Sequence, residues 1–287
     1  EKGHIDYIAR EAINNYGVDP IIAVKAACHH ASRYFLLNNR GAIAPGYLAD
    51  FAVIDNFKDF NVEMVFKKGV LYWNNGELRD FEAPKIEEYL DKRAHDTFHV
   101  STLTPDDFRD TRQRGVLGMV PGEIITTDNG YADHVDLEKD ILKIAVIERH
   151  KNTHHIGLGY IKGYGLQKGA VATSISHDSH NIIVVGTNEE EMAAAANRIA
   201  ENHGGITVMQ DGTVLGEVPL AIAGIMSDDS LVMVNSALES AKDEAFRLGV
   251  SQDIDPFMTL SFMALPVIPT LRITTRGVFD VNTQRYI

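Results

Sequence analysis

The sequence predicts an α+β protein made of more than one domain. Three observations point there. The chain opens on two helical stretches, changes to short β-rich runs broken by Gly and Pro, and, after a charged and unpatterned segment, resumes as intermingled helices and strands. Its 287 residues suggest about two domains, and a hydrophobic content of 45% is enough to build a core.

In "HIDYIAREAINNYG", Ile5, Ile8, Ala9, Ala12 and Ile13 recur at helical spacing up to Gly17. "DPIIAVKAACHHASRYFLL" reads as a second helix, with Asp19 as N-cap and Pro20 at the first helical position. Strand texture follows in "GAIAPGYLADFAVIDNF" and "NVEMVFKKGVLYWNNGEL", punctuated by Pro45-Gly46, Gly69 and Asn75-Gly76. From Arg79 to Arg112 the chain is charged and reads as a linker, with some helix around Lys85 to Arg93. Beyond it, Asn129-Gly130 in "GEIITTDNGY" predicts a hairpin turn, "DILKIAVIERH" alternates like a half-buried strand, and "NIIVVGT" reads as a buried one. "NEEEMAAAANRIAENHGG" is a helix with Asn188 as cap, Glu191 three residues on and Gly204 as stop. A hairpin around Asp211-Gly212 and a helix closed by Gly249 follow. No fixed-period repeat occurs.

The net charge of −13 argues against a nucleic-acid backbone or an anionic membrane surface as partner. No apolar run approaches the roughly 20 residues that span a bilayer. The single cysteine, Cys28, permits no intrachain disulfide and fits a reducing, cytoplasmic setting. It also excludes a zinc site of the cytidine-deaminase type, so any metal must use His, Asp and Glu. The opening "EKGHIDYIAR" has neither an initiator Met nor an apolar signal region and reads as mid-domain sequence, which suggests a fragment or processed chain.

"RGAIAPGYLADFAVID", Arg40 to Asp55, resembles the segment where amidohydrolase-superfamily enzymes leave their (β/α)8 barrel for a small β-sandwich. "CHHASRYF" stands where many members carry Asn-Pro-Ala. "ILKIAVIERH", "IGLGYIKGYGLQKGAVATSISHDSHNIIVVGTN" and "DPFMTLSFMALPVIPTLRITTRGVFDV" resemble the extra C-terminal domain of bacterial adenine deaminases, and "EKGHIDYIAREAI" resembles their helix after the last barrel strand. The resemblance implies terminal barrel helices at 1–38, β-sandwich strands at 39–80, a linker at 81–112 and a separate α+β C-terminal domain at 113–287. It also implies an oligomeric enzyme that hydrolyses adenine to hypoxanthine and ammonia, using manganese or iron to activate water. The barrel ligands of such a centre, a His-x-His pair among them, match no residue here. The fragment is therefore expected to be inactive alone and to hold no barrel metal.

Several polar clusters remain as candidates. "SISHDSHNIIVVG" places His177, Asp178 and His180 just before a β-branched run. They are the candidate active-site residues, reaching substrate or metal-bound water. Alternatively, His177 and His180 bind a metal of their own, or the cluster only satisfies local backbone groups. Glu148, Arg149 and His150 end a predicted strand, and Glu148 and His150 are candidates for a place beside the substrate or behind the groups that touch it; such charges also simply leave a sheet for water. His4 and Asp6 lie near the expected barrel mouth, although Asp6 equally suits a first helical turn. The five glycines of "IGLGYIKGYGLQKGA" lack a nucleotide-binding fingerprint and suggest a bulged hairpin. His95 and His99 of "HDTFH" read as a solvated turn, His29 and His30 as ordinary helix positions, and Phe257, Met258, Phe262 and Met263 as core filling. Two rivals stay open: another purine or amide amidohydrolase, and a non-catalytic capping or oligomerisation module.

Overall fold

The computed structural model describes residues 3–80 and 84–287. The chain is α+β, divided into two compact units that meet at Lys85 and Ile86. Among the described residues there is no closed barrel.

In the first unit, helix α1 spans Ile5–Asn14 and α2 spans Pro20–Lys25. Asp19 caps α2 by accepting from the N–H groups of Ile21 (2.9 Å) and Ile22 (3.1 Å). The chain continues through a π-helical turn, Ala26–His30, into α3, Ala31–Tyr34, so His29 and His30 sit where the helix widens. Four antiparallel strands follow in sequence order: β1 (Phe51–Ile54), β2 (Val62–Lys67), β3 (Val70–Asn74) and β4 (Glu77–Leu78). Their turns place Lys68-Gly69 and Asn75-Gly76 at positive φ, the geometry that matches strand twist. Asp50 fastens the sheet's entrance, pairing with Arg40 and accepting from the Lys68 N–H at 2.7 Å. Asn14 and Arg10 tie α1 to the loop after β1 by donating to the carbonyls of Lys58 (2.7 Å) and Asp59 (3.1 Å).

The second unit begins with α4 (Glu88–His95) and a 3₁₀ turn, Pro105–Phe108. Of the expected linker, residues 81–83 lie outside the described ones, and residues 86–112 belong to this unit. Leu103 and Phe108 are buried in its core, and Asn197 brackets Leu103 with two backbone hydrogen bonds of 2.9 and 2.8 Å. Two apolar residues spaced among charges give no periodic signal, which is why the segment reads as linker in sequence.

An eight-stranded sheet forms the body. Its strands are β5 (Arg114–Met119), β6 (Thr126–Ala132), β7 (Ile141–Ile147), β8 (Ile156–Lys162), β9 (Ala170–Thr173), β10 (Ile182–Gly186), β11 (Gly205–Gln210) and β12 (Thr213–Pro219). They run β12-β11-β9-β10-β7-β8-β5-β6, with only β5 and β8 parallel. Helix α5 (Glu189–Glu201) packs on one face. The other face meets α6 (Leu231–Arg247), α7 (Met258–Met263) and the small sheet of β13 (Leu271–Thr274), β14 (Gly277–Asp280) and β15 (Arg285–Tyr286).

Four sequence expectations are corrected. Asn129-Gly130 makes no turn; it lies inside β6, where residues 129 and 130 oppose one residue of β5, and Gly130 at φ +78° is the glycine of a β-bulge. The run 156–170 is no hairpin, because β8 and β9 are separated in the sheet by β7 and β10. Its connecting loop is held by Asp140, which accepts from the N–H groups of Gly163 (2.9 Å) and Gly165 (2.8 Å). Strand β7 is buried on both faces rather than half-buried. Leu142, Ile144 and Val146 enter one core, Ala145 and Ile147 the other, and Lys143 is buried against Glu189. Helix α5 ends at Glu201, with His203 and Gly204 both at positive φ after it and the Gly204 N–H donating to Ile199 O at 2.9 Å, but Glu191 accepts from the Asp211 N–H instead of completing a capping box.

Candidate active-site loop

Strands β9 and β10 are antiparallel neighbours, so residues 174–181 form the loop of a hairpin at one end of the large sheet. Ser174 anchors its first residue: the hydroxyl donates to Gly224 O (2.6 Å) and accepts from Gly205 N–H (2.7 Å). The loop then folds onto α7. His177 N–H donates to Ser261 O at 2.9 Å, and the His177 ring lies 4.9 Å from that of Phe262. His180 N–H donates back to Ser176 O at 2.6 Å while its backbone takes a φ of +50°. The two histidine rings meet edge to face at 6.0 Å. Burial, then the neighbouring His177 and Arg149, lower the pKa of His180, so it favours the neutral imidazole. His177 keeps 31% of its side chain exposed, and Asp178 turns outward with 86% exposed.

The neighbouring hairpin loop, between β7 and β8, carries the other strand-end candidates. Glu148 folds over its own loop: its carboxylate accepts from the N–H groups of His150 (2.6 Å), Lys151 (3.0 Å) and Thr153 (3.1 Å), and from the Thr153 hydroxyl (2.8 Å). Burial raises its pKa, but these bonds outweigh burial and bring it down to about 2. His150 joins the two loops. Its Nε2 lies 2.7 Å from Ser179 O, and since a carbonyl only accepts, that nitrogen carries the proton. Arg149, between them, is buried and reaches His180 O with Nε at 2.6 Å. His154 is turned to Asp107, at 2.8 Å.

The structure thus brings His177, His180, His150 and Glu148 to one end of the sheet, with Asp178 at its rim. His4 belongs to the first unit, where its N–H donates to Asp6 at 2.9 Å. Among the described residues, no three His, Cys, Asp or Glu side chains converge to hold a metal ion, so the donor set present does not fit a resident metal. In the sequence Arg149 reads only as a strand-end charge and Phe262 only as core filling; no periodicity distinguishes a buried arginine, or a ring that packs against a distant histidine.

Among the described residues, no helix is long and apolar enough to cross a membrane. The sequence model of the family described as "Adenine deaminase C-terminal domain" matches residues 122–285, and that of the "Amidohydrolase family" matches residues 4–72. Adenine deaminase from Dehalococcoides mccartyi is 40% identical over 99% of this chain and 51% of its own length. Adenine deaminase 2 from Carboxydothermus hydrogenoformans is 40% identical over 98% of this chain and 50% of its own, and adenine deaminase from Lysinibacillus sphaericus is 38% identical over 100% and 51%. The chain spans about half the length of the curated relatives it matches. More than half of its residues, the loop at 174–181 among them, fall within one family model, and the chain belongs to the adenine deaminase C-terminal domain family.

Proposed function

We propose that this chain is the C-terminal half of a metal-dependent adenine deaminase, which converts adenine and water to hypoxanthine and ammonia. The observation that carries the reading is identity of about 40%, sustained over nearly the whole chain, with proteins of that name. In this reading residues 1–38 are terminal helices of a (β/α)8 barrel, 39–80 its β-sandwich strands, and 113–287 the C-terminal domain, to whose compact unit residues 86–112 also belong. The exposed side chains of Ile5, Ile8, Ile21 and Ile22 support it, because helices at the end of a barrel need apolar partners from the rest of that barrel. The metals, manganese or iron, then belong to residues outside this chain. His177, Asp178 and His180 form a loop over the reaction centre, His150 and Glu148 support it from behind, and His4 lies near the barrel mouth. The half-exposed imidazole of His177 is suited to exchange a proton or hydrogen bond with a purine nitrogen. The enzyme is a cytoplasmic homo-oligomer that engages neither nucleic acid nor membrane.

The test measures hypoxanthine formation and bound metal in this chain and in a form extended to the full length of the relatives. Only the extended form is expected to turn over and to hold metal; stoichiometric metal or turnover in the present chain would overturn the assignment. In the extended form, His177→Ala is expected to lower kcat about 10- to 100-fold. An unchanged kcat would instead favour a non-catalytic capping module, and a preference for another purine would favour a different amidohydrolase.

A further inference from the structure

We infer that Arg149 is the positioning residue of the 174–181 loop, its guanidinium gathering the backbone of three separate segments and so setting where His180 and His177 stand. The structural part rests on geometry alone; its consequence for turnover rests on the loop working at the reaction centre.

Arg149 is 2% exposed, and all three nitrogens of its planar fork donate hydrogen bonds. Nε donates to His180 O at 2.6 Å, Nη1 to Thr97 O at 2.8 Å and Thr97 Oγ1 at 3.2 Å, and Nη2 to Ala223 O at 2.9 Å. The guanidinium lies 4.3 Å from the Phe98 ring centroid, and the Arg149 N–H donates to Asn181 Oδ1 at 3.3 Å. None of these acceptors is a carboxylate. Glu148, the adjacent one, is turned onto its own loop, and Asp178 faces water. Desolvating a cation against neutral carbonyls is a costly way to stabilise a surface, and it persists where geometry is what the charge provides. The geometry held here is unusual: His180 is a non-glycine residue at φ +50°, with its N–H drawn to Ser176 and its carbonyl to Arg149. From that backbone its ring meets His177, which in turn leans on Phe262. A lysine supplies the charge but not the three-way fork.

The experiment follows the ring and amide NMR signals of His177 and His180 in this chain, for Arg149→Met, Arg149→Lys and Gly224→Ala. The last variant displaces the guanidinium without deleting it, since a Cβ at Gly224 would stand 2.6 Å from Phe98 Cε2 and 2.9 Å from Arg149 Nη2. Arg149→Met and Gly224→Ala are expected to move both histidines' signals while those of β13–β15 stay in place; Arg149→Lys should not restore them. The groups around His180 are Arg149, His177 and His150, which oppose its protonation, and Asp178, which favours it. Its titration midpoint should therefore rise in Arg149→Met and less so in Arg149→Lys. Unmoved histidine signals in a folded Arg149→Met overturn the inference; if that variant does not fold, unmoved signals in Gly224→Ala do. In the full-length enzyme, Arg149→Met should reduce kcat tenfold or more with KM nearly unchanged. Shifted signals with kcat unchanged in both Arg149→Met and His177→Ala would leave Arg149 as the loop's positioning residue and overturn the active-site reading itself.

Discussion

Glu148 and Asp178 are both carboxylates in short polar hairpin loops, yet one is drawn inward and the other left to solvent. The inward one ties its loop together through four hydrogen bonds, which hold its carboxyl at about 2, below the ordinary 4.5. A carboxylate whose folded pKa is depressed stabilises the fold above its unfolded pKa and loses that contribution as pH falls through the folded value. The Glu148 contribution is therefore complete above about pH 5 and fades toward pH 2. Solvent screening keeps it modest, about 1–2 kcal/mol. Urea titrations should show Glu148→Ala less stable than the native chain by about that amount at pH 7 and converging with it near pH 2; parallel curves at both pH values would refute the role. The clustering of polar residues at strand ends marks His177, Asp178, His180, His150 and Glu148 as candidates; the structure joins their two loops through His150 and Ser179, and leaves the candidate His4 in the first unit. Clustering alone does not tell a carboxylate that meets substrate from one that folds its own loop, because the two differ only in which amides turn toward the oxygen atoms.

Among the elements, β7 shows how a regular pattern misleads. Lys143 breaks an apolar run and makes it look half-exposed, but a lysine buried on a sheet face gives the same letters as one in water. The difference lies in the partner: Glu189, at the first position of α5, meets the ammonium, which also donates to Phe108 O at 3.0 Å. The two members of the pair are unequal. The Lys143 side chain is 5% exposed and that of Glu189 28%, so a Glu189 left alone can turn to water whereas a Lys143 left alone cannot. Glu189→Ala should accordingly cost about 3 kcal/mol, and Lys143→Met about 1. Chemical denaturation of the two variants reads the asymmetry directly; equal costs would mean that the buried ammonium is hydrated. Where chemistry is local, the sequence is more legible. Asp19 and Asn188 cap their helices and Asp211-Gly212 turns its hairpin, because caps and tight turns are decided by the residues that form them.

At the scale of the molecule, the two units differ in how much they bury. The second has cores on both faces of its large sheet, whereas the buried hydrophobic side chains described in the first are only Ala9 and Ala23. The segment before β5 is decisive for where the second unit can be cut. Charge dominates the sequence up to Arg112 and predicts a linker that far; the structure commits Leu103 and Phe108 to the core on the α5 side. Burying two such side chains stabilises by about 2–3 kcal/mol each, to which the Asn197 bonds add. A chain of residues 86–287 should therefore unfold cooperatively on its own, while one of 113–287 should lose about 5 kcal/mol, much of the margin of an ordinary domain. Residues 1–85 alone should show no cooperative transition, since most of their large apolar side chains remain at least partly exposed. Thermal unfolding of the three pieces, followed by circular dichroism, tests this. A 113–287 chain as stable as 86–287 would show that the Leu103–Phe108 segment lies on the core without supporting it, and a cooperative transition in 1–85 would show that the first unit folds without further apolar partners.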